Sequence, residues 1–187
     1  MATINDLIAE AEHKMLKSIE ATQHEFSTLR TGRAHPGMLD GITVEAYGSQ
    51  MPIGQLAQIH VPEPRQLTIT PYDRSTVGAI ERAIKMSDLN INPINDGAGI
   101  RLNLPPLTEE RRKEMVKLLH KKAEEGRVAI RNVRRDANDH IKQLEKKGET
   151  SEDEAKRASE KLQKLTDKSI VDLDHMQKAK EAELMEV

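Results

Sequence analysis

Proline and glycine are distributed so unevenly along this chain that they mark its architecture before any propensity is consulted. All eight prolines lie between Pro36 and Pro106, and eight of the ten glycines lie between Gly32 and Gly99. Only Gly126 and Gly148 interrupt the remainder, so the stretches 1–30 and 108–187 carry no proline and almost no glycine. Proline breaks helix hydrogen bonding and glycine raises its entropic cost, so flanks without them can sustain long helices.

Apolar spacing supports this. Ile4, Leu7, Ala11, Met15, Ile19, Thr22, Phe26 and Leu29 advance in steps of three or four and line one side of a first helix. A second helix is expected to start at Thr108 after Pro105-Pro106, with Glu109 and Glu110 in the first turn, where the helix dipole favours acids. Met115, Leu119, Ala123, Gly126, Ile130, Val133, Ala137, Ile141 and Leu144 carry the rhythm to a basic, glycine-terminated end at Lys146-Lys147-Gly148. Ser151 with Glu154 fits a capping box that opens a third helix, with Ala155, Ala158, Leu162, Leu165, Ser169, Leu173 and Met176 on one face. Three single-striped helices are satisfied together in a three-helix bundle, and a second helix of about 37 residues would span roughly 55 Å, making the bundle elongated.

The segment between them reads differently. Residues 42–47 alternate with period two and stop at Gly48, short β-like runs recur at 56–61, 66–70 and 100–104, and a helix is expected near 76–86. The fold class is therefore α+β: a discontinuous three-helix bundle from 1–30 and 106–187, with a small, mostly β domain of residues 31–105 inserted in it. An insertion makes the chain cross between domains twice. The crossings, 30–33 and 104–107, supply Arg30, Thr31, Gly32 and Arg33 on one strand and Pro105 and Pro106 on the other, and two such strands can work as a hinge. A packed, locked interface is the competing arrangement.

Charge divides by element. The formal total of −2 comes from 29 Lys+Arg against 31 Asp+Glu. Residues 108–147 hold 13 basic and 8 acidic residues, or +5, which leaves −7 for the rest of the chain. Projected at about 100° per residue, Lys113, Lys117, His120, Arg127, Arg131, Arg134, Arg135, Asn138 and Lys142 share one flank of the second helix, with Glu124 the one acid among them. A charged helix face is as often solvated, or paired with a neighbour such as the acidic third helix, as it is a binding face. Four arginines within residues 127–135 favour binding, because the guanidinium fork suits phosphate. The chain has three aromatics, Phe26, Tyr47 and Tyr72, too few for a base-stacking platform, so contact to a structured phosphate backbone is the expected mode.

Other chemistry finds little footing. There is no cysteine, hence no disulfide or thiolate site. Gly97-Ala98-Gly99 is a lone glycine pair and reads as a turn, the seven histidines form no helical ligand pair, and no nucleophile has a base at a diagnostic spacing. No catalytic residue, metal or cofactor is expected. No window resembles a membrane span, and the N-terminus is acidic where a targeting peptide is basic, so the expectation is a cytoplasmic protein. A helical scaffold or chaperone-like protein is the alternative to a polyanion binder.

The stretch Arg30-Thr31-Gly32-Arg33-Ala34, the run Asp73-Arg74-Ser75, residues 87–93, the block 104–113, the arginine-rich segment 127–139 and the closing residues 181–185 resemble the ribosome recycling factor family in order and spacing across essentially the whole chain. The resemblance implies an L-shaped, non-enzymatic translation factor of tRNA-like dimensions, acting as a monomer. Its implied partners are the post-termination ribosome and elongation factor G, whose GTP hydrolysis splits the subunits before initiation factor three keeps them apart. Arg131 and Arg134, with Arg127 and Arg135 beside them, match the arginines that imply binding to large-subunit ribosomal RNA near the intersubunit bridges, and Lys117 and Asn138, on the same projected flank, are expected to bind with them. Arg30, Thr31, Gly32, Arg33, Pro105 and Pro106 match the family's hinge. Two positions depart from the family pattern: Gly126, where a helix former is usual and a bend or a cost of roughly 1 kcal/mol is expected, and His35, where a smaller residue is usual.

Overall fold

The computed structural model describes residues 3–186. The chain divides into two compact units, one formed by 3–30 with Glu109–Glu186 and the other by Thr31–Thr108.

The first unit is a bundle of α1 (Ile4–Ser27), α4 (Glu109–Lys146) and α5 (Glu152–Met185), each packed on the other two. The ends are closed by local chemistry. Thr3 and Asp6 form a reciprocal capping box at α1. Ser151 accepts from the Glu154 amide at 3.2 Å to open α5, while the Glu154 carboxylate is bonded to the Thr150 hydroxyl. Gly148, at φ +70°, ends α4 in a Schellman motif: its amide reaches the Glu145 carbonyl and the Glu149 amide the Leu144 carbonyl.

Met115, Leu119, Ala123, Ile130, Ala137 and Ile141 are buried along α4, and Ala155, Ala158, Leu162, Leu173 and Leu184 along α5. On α1 the buried set is Ile8, Ala11, Met15, Thr22 and Phe26, so Ile8 takes the place in the core that the spacing assigns to Leu7. Thr166 is fully buried on α5, its hydroxyl satisfied by the Leu162 carbonyl at 2.8 Å. Gly126 does not interrupt α4. A Cβ there would lie 2.4 Å from Thr22 Oγ1 on α1 and 2.8 Å from Leu173 Cδ1 on α5. The expected bend is thus replaced by a different role: the missing side chain lets three helices approach at one level.

The second unit starts with a 3-10 turn, Pro36–Leu39, and continues through the hairpin β1 (Thr43–Ala46) and β2 (Ser49–Pro52), joined by Tyr47-Gly48. A single helical turn, α2 (Ile53–Leu56), leads into β3 (Ala57–Glu63), then β4 (Gln66–Pro71), α3 (Val77–Lys85), β5 (Ile94–Asn95) and β6 (Ile100–Asn103). The antiparallel sheet runs β3-β4-β6-β5. Its register places Leu67 opposite Leu102 and Ile69 opposite Ile100, so one sheet face meets Ile80 and Ile84 of α3 in a core of aliphatic residues. The strands β2 and β5 and the turn α2 are not legible as separate elements in the sequence, since the first two are short and edge-like and the third is one turn long.

Candidate nucleic-acid interface

The basic flank of α4 has two edges, because a straight helix drifts about 20° per seven residues and rows spaced by seven keep nearly the same bearing. One row, His120, Arg127 and Arg134, faces α5. His120 Nε2 lies 3.2 Å from Glu181 Oε2, Arg127 Nε and Nη2 lie 2.9 and 2.8 Å from Asp174 Oδ1, and Arg134 Nη1 lies 2.8 Å from Gln163 Oε1. Their partners descend α5 as α4 ascends, as an antiparallel pair requires.

Within that row the arginines differ. The Arg127 side chain is 18% exposed and every guanidinium nitrogen is engaged: besides Asp174, Nη2 bonds Gln177 Oε1 and Nη1 bonds Glu124 Oε2 at 3.1 Å. Arg127 is a clamp between α4 and α5. Arg134 spends one nitrogen on a neutral amide oxygen at the exposed surface. A guanidinium has five N–H donors, so most of its capacity is left.

The outer edge carries Arg131 and Arg135, with Lys117 exposed on the same side. Arg131 Nη1 donates one hydrogen bond of 3.3 Å to Glu124 Oε1, and Arg135 Nη1 one of 3.3 Å to Asn132 Oδ1. Glu124, the acid within the stripe, therefore bridges Arg127 and Arg131 with its two oxygens and orients both. Asn138 has drifted toward the bundle. It is half-buried, and its Oδ1 is buried without a hydrogen-bond partner among the described residues. That oxygen is an acceptor and has nothing to offer a phosphate, so only the amide nitrogen of Asn138 suits an anion.

The basic stripe does not by itself point to its α5 partners Gln163, Asp174, Gln177 and Glu181. A signal for two of them is nevertheless present: Asp167, Asp174 and Glu181 recur every seven residues on the third helix, as His120, Arg127 and Arg134 do on the second. On the opposite flank of α4, Lys122 ion-pairs with Glu25 of α1. The hydrogen bond from the Lys122 ammonium, and then its charge, hold the Glu25 carboxyl below its ordinary range.

The crossing residues lie at the edge of both units. Arg30 ends the first segment of the bundle unit, and Thr31, Gly32, Arg33, Pro105 and Pro106 belong to the second unit. Gly32 has φ +76°, and a Cβ on it would stand 3.4 Å from Leu107 Cγ, which places the two strands side by side. Both hang from one hairpin tip: the Ala34 amide donates to the Pro64 carbonyl at 2.7 Å and the Leu104 amide to the Arg65 carbonyl at 2.8 Å. Arg33 N lies 3.4 Å from Thr31 Oγ1. His35, just beyond, accepts from the Gly37 amide at 2.9 Å through Nδ1 and so opens the 3-10 turn. Among the described residues, no cluster of His, Asp or Glu is arranged to hold a metal, and no helix is long and apolar enough to cross a membrane.

Known proteins are similar to this chain over nearly its full length. The ribosome-recycling factor of Carboxydothermus hydrogenoformans is 56% identical over 184 residues, covering 98% of this chain and 100% of that protein. The one from Bacillus subtilis is 52% identical over 182 residues, 97% and 98% of the two chains. A solution structure of the ribosome recycling factor matches with a TM-score of 0.75 and 50% identity over 98% of each chain. A further match, with a TM-score of 0.64 and 46% identity over 98% of this chain and 100% of the other, comes from models for the T. thermophilus ribosome recycling factor and the E. coli elongation factor G bound to the E. coli post-termination complex. The family profile described as Ribosome recycling factor matches residues 22–185, a range that takes in the inserted unit, α4 and α5: the chain belongs to the ribosome recycling factor family.

Proposed function

We propose that this chain binds the post-termination ribosome through the outer edge of α4 and, with elongation factor G and GTP hydrolysis by that partner, splits it into subunits. The observation that carries the reading is the donor inventory. Arg131, Arg134 and Arg135 stand within five positions on one helix, and each spends a single guanidinium nitrogen on a partner within the chain. Such groups can meet phosphate oxygens without first breaking a structural bond of consequence. Lys117, nearly four turns toward the N-terminal end of α4, extends the same edge, and large-subunit ribosomal RNA near the intersubunit bridges is the structured polyanion this mode suits.

In this reading the chain is a cytoplasmic monomer that holds no cofactor and performs no catalysis itself. The free energy for splitting comes from the GTPase. Arg30, Thr31, Gly32, Arg33, Pro105 and Pro106 form the hinge through which a force on residues 31–105 reaches the RNA-bound bundle. Pro105 and Pro106 have fixed φ and donate no backbone hydrogen bond, so one strand is stiff, while Gly32 lets the other turn through a left-handed conformation.

The test is cosedimentation with ribosomes over a salt series, using the triple variant Arg131→Ala/Arg134→Ala/Arg135→Ala. For every phosphate that the variant no longer neutralises, the slope of log K against log salt should flatten by roughly 0.7 to 0.9, while helical circular dichroism stays at the wild-type value. Wild-type affinity and slope in the variant would sink the arginine edge as the binding surface. A scaffold that binds protein partners has no reason to show the steep slope at all.

A further inference from the structure

The geometry points to Glu124 as the residue that limits the grip of the arginine edge: its carboxylate stands beside Arg131 in competition with RNA phosphate, so that the chain can leave the large subunit once the ribosome is split. This rests on the proposed function, in which Arg131 meets ribosomal RNA.

The helix itself needs no acid at this position. The acids that the helix dipole favours are those of the first turn, Glu109 and Glu110, and Glu124 lies about four turns further on. The other acids between Lys113 and Lys142, namely Glu114, Glu125, Asp136 and Asp139, project away from the basic flank. The Glu124 side chain is 56% exposed, and an exposed ion pair adds little to stability. Arg127 keeps Asp174 and Gln177 without it. The clamp onto α5 therefore does not depend on Glu124.

What Glu124 supplies is a fixed negative charge on the binding edge. Its Oε2 accepts from Arg127 Nη1 at 3.1 Å, and Arg127 is anchored in turn to Asp174 across the seam with α5. Its Oε1 accepts from Arg131 Nη1 at 3.3 Å. The second bond is long and easily yielded to a phosphate, but the first keeps the carboxylate where it is. A phosphate held by the rest of the Arg131 fork stands well within the roughly 8 Å over which physiological salt screens charge, so it is opposed by that carboxylate. The carboxylate also neutralises part of the guanidinium charge that the phosphate would otherwise meet. Arg134 and Arg135 carry no such counterweight, because their partners are the neutral side-chain oxygens of Gln163 and Asn132. Arg131 is thus the arginine of this edge whose grip is held back. A factor that acts in successive rounds must let go of what it binds, and changes at one binding surface act mostly on the rate of release.

The assignment is tested with Glu124→Gln, which keeps the length of the side chain and one acceptor oxygen and removes the charge. Cosedimentation with isolated large subunits should tighten several-fold, and the slope of log K against log salt should steepen by up to roughly 0.9, since Arg131 then neutralises a phosphate in full. A fluorescently labelled variant should leave those subunits several-fold more slowly than wild type, with its thermal unfolding midpoint unchanged. Glu125→Gln, which makes the same change in net charge on the far side of the helix, should bind as wild type. The gain from Glu124→Gln should vanish in an Arg131→Ala background. Unchanged binding by Glu124→Gln overturns the proposal, and so does weaker binding, which would make Glu124 a residue that orients Arg131 for its contact. An equal gain from Glu125→Gln overturns it in favour of net charge, and a gain that survives Arg131→Ala overturns the link to Arg131. If the wild-type chain shows no steep salt dependence on large subunits, the arginine edge fails as the binding surface and this role fails with it; a steep wild-type slope that Glu124→Gln leaves unaltered sinks the role of Glu124 alone.

Discussion

Arg127 and Arg131 are four residues apart on one helix, share Glu124 as a partner, and have nearly opposite roles. Arg127 faces α5 and has all three guanidinium nitrogens engaged by Asp174, Gln177 and Glu124, with 18% of its side chain exposed. The Arg131 side chain is 39% exposed and makes one long hydrogen bond. The difference shows that charge periodicity alone does not separate a binding face from a helix clamp. What separates them is how many donors the neighbouring helix consumes. A basic stripe can be paired to its neighbour or open to a ligand, and here it is both, on different edges of the same helix.

The strongest way to disturb this arrangement is to move α4 away from its neighbours. Gly126 sits at the innermost bearing of the helix, one residue before the clamp. Gly126→Leu should cost the bundle about 3 kcal/mol or more, since the added atoms meet Thr22 and Leu173 rather than space. Gly126→Ala sets a helix-propensity gain of about 1 kcal/mol against overpacking of about 1–3 kcal/mol, so it should also destabilise. Urea unfolding followed by circular dichroism measures both. A stabilised Gly126→Ala variant would show that propensity outweighs the close approach, and partial rescue of it by Thr22→Ala would locate the clash.

Next in size is the contrast between the edges themselves. Arg127→Ala removes charge-assisted hydrogen bonds from a mostly covered seam and should cost about 1.5–3 kcal/mol. Arg131→Ala, Arg134→Ala and Arg135→Ala should each stay within about 0.5 kcal/mol, because their partners are solvent-exposed. Thermal unfolding of the four variants decides it. Equal effects at all four positions would dissolve the distinction between clamp and open edge.

How much of this is legible in the sequence depends on which residues carry their information locally. The bundle helices are legible because proline and glycine are nearly absent there and the apolar stripe repeats over many turns. Within a stripe, Leu7 and Ile8 are adjacent and equally apolar, so the rotation that buries Ile8 is set by α4 and α5 and not by the first helix. Thr166 is buried for a similar reason: its hydroxyl is satisfied within its own helix at the Leu162 carbonyl, which a composition-based reading cannot anticipate. Gly126 looks like a flaw in one dimension because its justification lies on two other helices. In the inserted unit the alternation of 42–47 marks β1, but its partner Ser-Gln-Met-Pro has no apolar alternation and forms β2 only because Tyr47-Gly48 folds it back. On the candidate interface the arginine run is visible and the consumption of Arg127 is not, since Asp174 and Gln177 lie 47 and 50 residues away.

The smallest expected effect lies on the remaining flank of α4, where Lys122 pairs with Glu25 of α1. Glu25 is depressed below its ordinary value of 4.5, first by the hydrogen bond from Lys122 and then by its charge. A carboxyl with a lower pKa in the folded state contributes stability that is complete above its unfolded value and is lost as pH falls through the folded one. This clamp should therefore hold from neutral pH down to near 4.5 and weaken below it. Because both partners reach solvent, the loss is screened and small. Glu25→Gln should be slightly less stable than wild type at neutral pH, and the gap should close as the pH falls well below 4.5. Urea titrations of both proteins at a series of pH values read this directly. A gap that persists unchanged at acid pH would mean that Glu25 contributes packing and not charge, leaving the α5 seam as the charged clamp that sets the register of α4.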